Sequence, residues 1–463
     1  MGSRLFVASL SLVTLAGPVG CGGGPGSADA NPPAPTNVTV TIDPTTTYQT
    51  MVGFGAAVAY FDGSAMMNPM SSEVFQTIFA DLGLEVLRVG NWNLNNGNDG
   101  NSAFSQTAAF VQAARQMGYA PVLLMSSWNP PLSLKNNNNL RAGGTLPKTA
   151  SGAYDYADFG AWWAQSLTAF ATASGGIVPD YISIQNEPDF TTTNEGTCLF
   201  DPTEDATNAG YGQALDAVKT AIAGTPGLTM PKLIGPENDS LAGSELERYL
   251  TGITSSGYLD DLDVVAHHLY GSGTESSPNS YNYNLGNVAT AAAAAGKPIW
   301  ETEFAPNSQD VLLTAWLIQN AVTIEGVSTY LYWDLYWPTV QPPQGLVTVT
   351  STGFTINDDY YAVQHFAKGI GVGWTRVGAS ASEAPVIVSA FLSPDGTQLT
   401  LVAINTDGAD HQVAIDPGTF VGATSNVYRT SGTAERFAAV GPLDAAGSFD
   451  LPGQSIATVT LAP

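Results

Sequence analysis

From residue 51 to residue 334 the chain repeats one alternation, a short apolar run followed by an interval long enough to hold at least one helix. The runs are "MVGFGAAVAY" (51–60), "EVLRVG" (85–90), "APVLLMSS" (120–127), "YISIQNE" (181–187), "PKLIGPE" (231–237), "DVVAHHLY" (263–270), "KPIWETE" (297–303) and "VSTYLYWD" (327–334). Near-continuous apolar runs are the mark of strands covered on both faces. Eight of them with intervening helices predict an α/β architecture, a (β/α)8 TIM barrel whose active site lies at the strands' C-terminal ends. The intervals agree. "SSEVFQTIFADLG" (71–83) opens on a pair of serines suited to capping and closes near Gly83, and "DATNAGYGQALDAVKTAIAG" (205–224) has helical apolar spacing ended by a glycine.

After about residue 370 the period changes from helical to two. "APVIVSAFLSPDGTQLTLVAIN" (384–405) reads as two strands around a Pro-Asp-Gly turn, and "SIATVTLAP" (455–463) as another. "NVTVTID" (37–43) alternates in the same way ahead of the barrel. These segments predict a side β-sandwich domain built from both chain ends: residues 37–50 and 369–463 around a catalytic barrel at 51–368.

The N-terminus has a different character. Arg4 precedes "LFVASLSLVTLAG", an apolar stretch too short to span a bilayer, and Cys21 follows Gly20 directly. Residues 1–21 therefore read as an export signal ending in a lipoprotein-type cleavage box, with Cys21 as the lipid anchor. Pro18 stands where such boxes usually carry leucine, and a cut after Ala30 would instead release a soluble protein. Residues 22–36 form a Gly/Pro-rich tether. The expected location is outside the cytoplasm, in the extracellular space or as an outer-surface lipoprotein. Once the signal is processed, Cys198 is left with no disulfide partner.

Composition narrows the partners. With 463 residues and 44% hydrophobic content the chain can bury a large core and form two or three domains. A formal net charge of -26 works against binding nucleic acid or an anionic membrane surface. No phosphate-cradling glycine loop follows the first strand, so no cofactor is expected. His267 and His268 are adjacent on a strand and point to opposite faces, which argues against a metal; His268 is the likelier cleft residue. A monomer is expected.

Candidate chemistry lies at the strand ends. Glu187 closes "YISIQNEP", where Pro188 stops the ladder, and Glu303 closes "KPIWETEF". Two carboxylates at strand ends of one barrel suit retaining glycoside hydrolysis, one as nucleophile and one as acid then base, at a separation of ~5 Å. Glu301 shares the parity of Glu303 by the two-residue period and ranks as a second candidate, deeper in the strand.

The ordered set "GFGAA", "LRVG", "SSWNPP", "IQNEPD", "HLYG", "WETEF" and "YYAVQHFAKGI" resembles glycoside hydrolase family 30, the glucuronoxylanase and glucosylceramidase-like group, from about residue 37 to the C-terminus. The resemblance implies a barrel with a side β-domain and retaining chemistry, with Glu187 as acid/base and Glu303 as nucleophile. Around them, Arg88 can hold Glu303 ionised. Asn186 can hydrogen-bond the sugar 2-OH. Tyr270 can orient Glu303 through its hydroxyl, and Trp92, Trp128 and Trp333 can offer rings for sugar stacking. Members that require a glucuronic acid side group carry an arginine in the loop after the eighth strand, and none occurs between Tyr330 and Thr348. The expected substrate is thus a β-linked polysaccharide, foremost β-1,4-xylan without dependence on glucuronosyl branches. A β-1,6-glucanase or glucosylceramidase-like hydrolase remains open, as does a catalytically inactive, carbohydrate-binding surface lipoprotein.

Overall fold

The computed structural model of the chain describes residues 36–59, 71–94, 104–337 and 345–463. The expected export signal, Cys21 and nearly all of the tether lie outside these residues, as does part of the loop after the eighth barrel strand.

Each of the eight apolar runs forms a strand: β2 (Gly53–Val58), β3 (Val86–Gly90), β4 (Val122–Ser126), β5 (Tyr181–Ser183), β6 (Lys232–Asn238), β7 (Val264–His268), β8 (Ile299–Phe304) and β9 (Thr329–Tyr332). They close into one barrel in chain order, every neighbouring pair parallel. After β2 comes a short helical segment, Ser71–Phe75, that widens into π geometry over Gln76–Asp81. After the other strands come α1 (Phe104–Gln116), α2 (Tyr156–Ala173), α3 (Tyr211–Ala223), α4 (Glu245–Ser255), α5 (Asn282–Ala295), α6 (Val311–Asn320) and α7 (Asp358–Ala367). The caps are local chemistry: the Asp310 carboxylate accepts from the backbone N–H groups of Leu312 and Leu313 at 3.0 and 3.1 Å and so starts α6.

Two apolar layers position the site. Inside the barrel floor Val86, Leu124, Ile234, Ala266, Trp300 and Leu331 meet, and outside it the alternate residues pack beneath the helices. Strand packing is close enough at β2 that a Cβ on Gly55 would stand 1.8 Å from the Val86 carbonyl oxygen, so only glycine fits there.

Nine further strands build the side domain: β1 (Thr36–Thr50), β10 (Thr375–Ala381), β11 (Val386–Leu392), β12 (Leu399–Asn405), β13 (His411–Asp416), β14 (Thr424–Ser431), β15 (Glu435–Gly441), β16 (Ser448–Leu451) and β17 (Ser455–Ala462). They form one nine-stranded sheet in the order β15-β14-β17-β12-β11-β10-β1-β13-β16. β1 therefore lies in the interior of a sheet otherwise made from the C-terminal segment, antiparallel to β10 and parallel to β13. Val38, Val40, Ile42, Leu401, Val413 and Val459 fill its own core.

Candidate active site

The site is assembled where β3, β5, β6, β7 and β8 end. Arg88, in the middle of β3, is fully buried on the barrel floor. Its Nη1 donates to Glu303 Oε2 at 2.6 Å, its Nη2 to Asn186 Oδ1 at 2.5 Å and Glu237 Oε2 at 3.1 Å, and its Nε to Ser126 Oγ at 3.0 Å. A guanidinium bonded on every side this way is a fixed charge rather than a mobile one.

Glu187 reaches the site because its strand stops early. The apolar run extends to Glu187, but β5 pairs only over Tyr181–Ser183. Beyond it the chain bonds to both neighbours in turn, the Asn186 N–H to Ser127 O at 2.7 Å and the Glu187 N–H to Glu237 O at 3.0 Å. Glu187 itself adopts φ 46°, a left-handed conformation that residues other than glycine enter at a cost and that clusters at functional positions.

Opposite it stands Glu303. One oxygen from each of Glu187 and Glu303, together with a ring nitrogen of His268, lie within 4.8 Å of one another. His268 Nδ1 is 3.1 Å from Glu187 Oε1 and its Nε2 is 3.9 Å from Glu303 Oε2, while Tyr270 donates its hydroxyl to Glu303 Oε1 at 3.2 Å. Burial, reinforced by the Arg88 and His267 charges, holds the His268 ring well below the usual histidine range, so it stands neutral between the two carboxyls. For Glu303, burial raises the carboxyl from 4.5 to about 7, and the Arg88 guanidinium pulls against that rise. Three residues so placed could in principle ligate a cation, but the guanidinium 2.6 Å from Glu303 already supplies the positive charge at that corner.

The structure separates residues that sequence periodicity had grouped. Glu301 does not face the cleft with Glu303. Trp300 lies in the barrel's inner cluster, so its neighbour Glu301 turns away from it, and a register slip after Glu301 in the pairing with both neighbouring strands brings Glu303 inward. Its carboxyl accepts from the backbone N–H groups of Glu303 at 3.0 Å and Leu331 at 3.3 Å, and full burial drives it well above the carboxylate range. It is a neutral structural acid rather than a second nucleophile. His267 also faces outward, paired with Glu325 at 2.5 Å, leaving His268 in the cleft.

Trp92 and Trp128 are corrected as stacking platforms. They are 0% and 1% exposed, Trp128 packs between Trp92 at 5.2 Å and Trp333 at 5.8 Å, and Arg88 lies over the Trp128 ring at 4.7 Å. Both rings spend their faces on protein. Trp333, half-buried, is the outer member of the stack.

Glu237 was missed. Its sequence signal was available, a carboxylate closing a barrel strand, but strand parity from the inward Ile234 puts Glu237 outside. A register slip between Pro236 and Asn238, with Glu237 at φ 60°, turns it inward.

An eight-stranded parallel barrel joined to a β-sandwich, with two carboxyls converging at the strand C-termini, has the geometry that retaining glycoside hydrolysis requires. Residues 373–459 match the family model "Glycosyl hydrolase family 30 beta sandwich domain". The whole chain is similar to the catalytic domain of GH30 xylanase C from Talaromyces cellulolyticus, at 20% identity and a TM-score of 0.73, covering 92% of this chain and 100% of that one. It is similar to the GH30 subfamily 8 xylanase Xyn30A from Clostridium acetobutylicum at 23% identity and a TM-score of 0.69, with coverage of 92% and 100%. An endo-β1,6-glucanase matches at 17% identity and a TM-score of 0.68, with coverage of 92% and 95%. No curated protein sequence matches the chain. Residues 373–459 thus resemble the β-sandwich domain of glycoside hydrolase family 30, and the solved structures share the fold of barrel plus sandwich.

Proposed function

We propose that the protein is an exported retaining glycoside hydrolase acting on β-linked polysaccharide, with β-1,4-xylan free of any need for glucuronosyl branches as the first substrate. The observation that carries this reading is the approach of the Glu187 and Glu303 oxygens to within 4.8 Å, since retaining enzymes hold their two carboxyl groups about 5–5.5 Å apart and inverting ones leave room for a water. In the first step the Glu303 carboxylate attacks the anomeric carbon while Glu187 gives its proton to the departing glycosidic oxygen. In the second, Glu187 takes a proton from water as that water displaces Glu303 from the glycosyl ester. Neutral His268 beside Glu187 holds that carboxyl in place, and Tyr270 and Arg88 hold the nucleophile. Asn186 accepts from Arg88 through its Oδ1, which leaves its NH2 group to meet a sugar hydroxyl.

Xylan is favoured by the likeness to the two xylanases, and independence from the uronic branch by charge. Arg88 spends its donors on Ser126, Asn186, Glu237 and Glu303, and no arginine lies between Tyr330 and Thr348 to pair with a branch carboxylate. The β-1,6-glucanase reading rests on the third likeness. Lipid attachment at Cys21 would hold the enzyme at the outer surface.

Incubation with plain xylan, glucuronosylated xylan and β-1,6-glucan, with products followed by mass and by proton NMR of the newly formed anomer, decides among these. Plain xylan should yield oligosaccharides of retained configuration. Glu303→Gln should lower kcat by roughly 10³-fold or more, and Glu187→Gln by roughly 10²–10⁴-fold, less for substrates with activated leaving groups. Binding of xylan with no turnover above Glu303→Gln would make the protein a binding module, and activity confined to glucuronosylated xylan would overturn the charge argument.

A further inference from the structure

Glu237 touches the machinery of both candidate catalytic residues. Its carboxylate Oε2 is 3.1 Å from Arg88 Nη2, its Oε1 accepts from Ser126 Oγ at 3.3 Å, and Ser126 in turn accepts from Arg88 Nε at 3.0 Å. Its backbone carbonyl accepts from the N–H of Glu187 at 3.0 Å. The residue is fully buried, and so is Arg88, so the ion pair they form is shielded from water and salt. Glu187 and Glu237 are also the two carboxylates on adjoining strand ends with left-handed backbones, φ 46° and 60°. That shared turn is what brings the Glu237 carbonyl under the Glu187 amide while its side chain points to the floor.

We infer that Glu237 is a positioning residue for the hydrolysis proposed above: it divides the single Arg88 charge with Glu303 and so sets the pH at which the nucleophile becomes available, while its backbone seats the acid/base. The role follows from the geometry. Arg88 Nη1 serves Glu303 at 2.6 Å and Nη2 serves Glu237 at 3.1 Å, so one cation faces two anions. With both ionised the cluster is net negative, which disfavours charge on Glu303. If Glu237 were neutral, Arg88 and Glu303 would form a matched pair, and Glu303 would ionise more readily. A purely structural carboxylate predicts the reverse: its loss would loosen Arg88 and make Glu303 harder to ionise.

This inference depends on the retaining mechanism for its meaning but not for its test. Protein carrying ¹³C at the glutamate side-chain carboxyl is titrated by NMR, with the Glu303 resonance assigned by its disappearance in Glu303→Gln, for the native chain and for Glu237→Gln. Glutamine keeps the shape and can still bond Arg88 and Ser126. The expected result is a Glu303 midpoint lowered by about one pH unit or more, with the acid limb of kcat/KM moving by the same amount wherever turnover is found. An unchanged or raised midpoint would overturn the inference. So would a Glu237→Gln chain that does not fold while Glu303→Gln does, because Glu237 would then be scaffold. Absence of turnover in the native chain on every glycan would instead count against the proposed function and leave the titration to decide this point.

Discussion

Arg88 shares one buried positive charge between Glu237 and Glu303, and removing it would strand both. Breaking a buried pair from one side costs about 3–5 kcal/mol, so Arg88→Met should lower the urea unfolding free energy by that order at pH 8. The sign with pH follows from Glu303. Its folded-state carboxyl already lies at about 7, above the ordinary 4.5, and without the guanidinium it would rise further. The folded variant then binds protons that the unfolded chain releases, so the penalty is full at alkaline pH and shrinks as pH falls toward 5. Equal destabilisation at pH 8 and pH 5 would contradict this account. In the native chain the same raised carboxyl should place the acid limb of kcat/KM for the proposed hydrolysis near 7. Residue identity was readable here and residue environment was not. "LRVG", "QNEP" and "TEF" named Arg88, Glu187 and Glu303, but the burial that lifts Glu303 and the stacking that hides Trp92 come from other strands.

The helix α7 carries the join between barrel and sandwich on one buried histidine. Thr458 Oγ1 donates to the His365 carbonyl at 2.7 Å, so it accepts from Nδ1–H at 2.8 Å. Thr430 Oγ1 accepts from the Phe437 N–H at 2.9 Å, so it donates to Nε2 at 2.8 Å. Every partner is satisfied by a neutral ring, and burial lowers His365 from 6.5 to about 3. Below pH 6.5 the unfolded chain takes up a proton that the folded one refuses. This histidine's contribution is thus full above 6.5 and is lost as pH falls to about 3, at about 1.4 kcal/mol per unit. His365→Gln should be less stable than the native chain at pH 7 and lose less between pH 7 and 4.5, read from urea midpoints. Parallel slopes would show that His365 does not titrate on unfolding. The strands tell a related story. β6 and β8 follow their two-residue period until a register slip near the C-terminal end, and each slip re-aims a glutamate inward, Glu237 on β6 and Glu303 on β8. Such slips sit at barrel rims and next to active sites, and the local pattern of apolar residues does not encode them.

The first described strand and the C-terminal segment meet in one sheet, which ties the two sides of the barrel segment together. β1 lies between β10 and β13, and its Val38, Val40 and Ile42 are 1%, 0% and 1% exposed in the sandwich core. Deleting residues 36–50 would leave two strands with open edges and an unfilled core. The expected product is insoluble or binds hydrophobic dye, with the thermal transition of the sandwich lost; a soluble, cooperatively unfolding remainder would show that the C-terminal strands close without β1. The barrel and sandwich are further tied by Gln319 Oε1 accepting from Ser389 Oγ at 2.8 Å.

Local order in the chain was enough for the eight barrel strands, the β-rich tail, and the two glutamates that end their strands, because strand period and strand-end position are properties of neighbouring residues. Which way a carboxylate points past a register slip, how much charge it keeps under burial, and which tryptophan retains an open face are set by atoms hundreds of positions away. Those quantities exist only once β3, β5, β6, β7 and β8 share one floor, where a single guanidinium must answer to groups from three other strand ends.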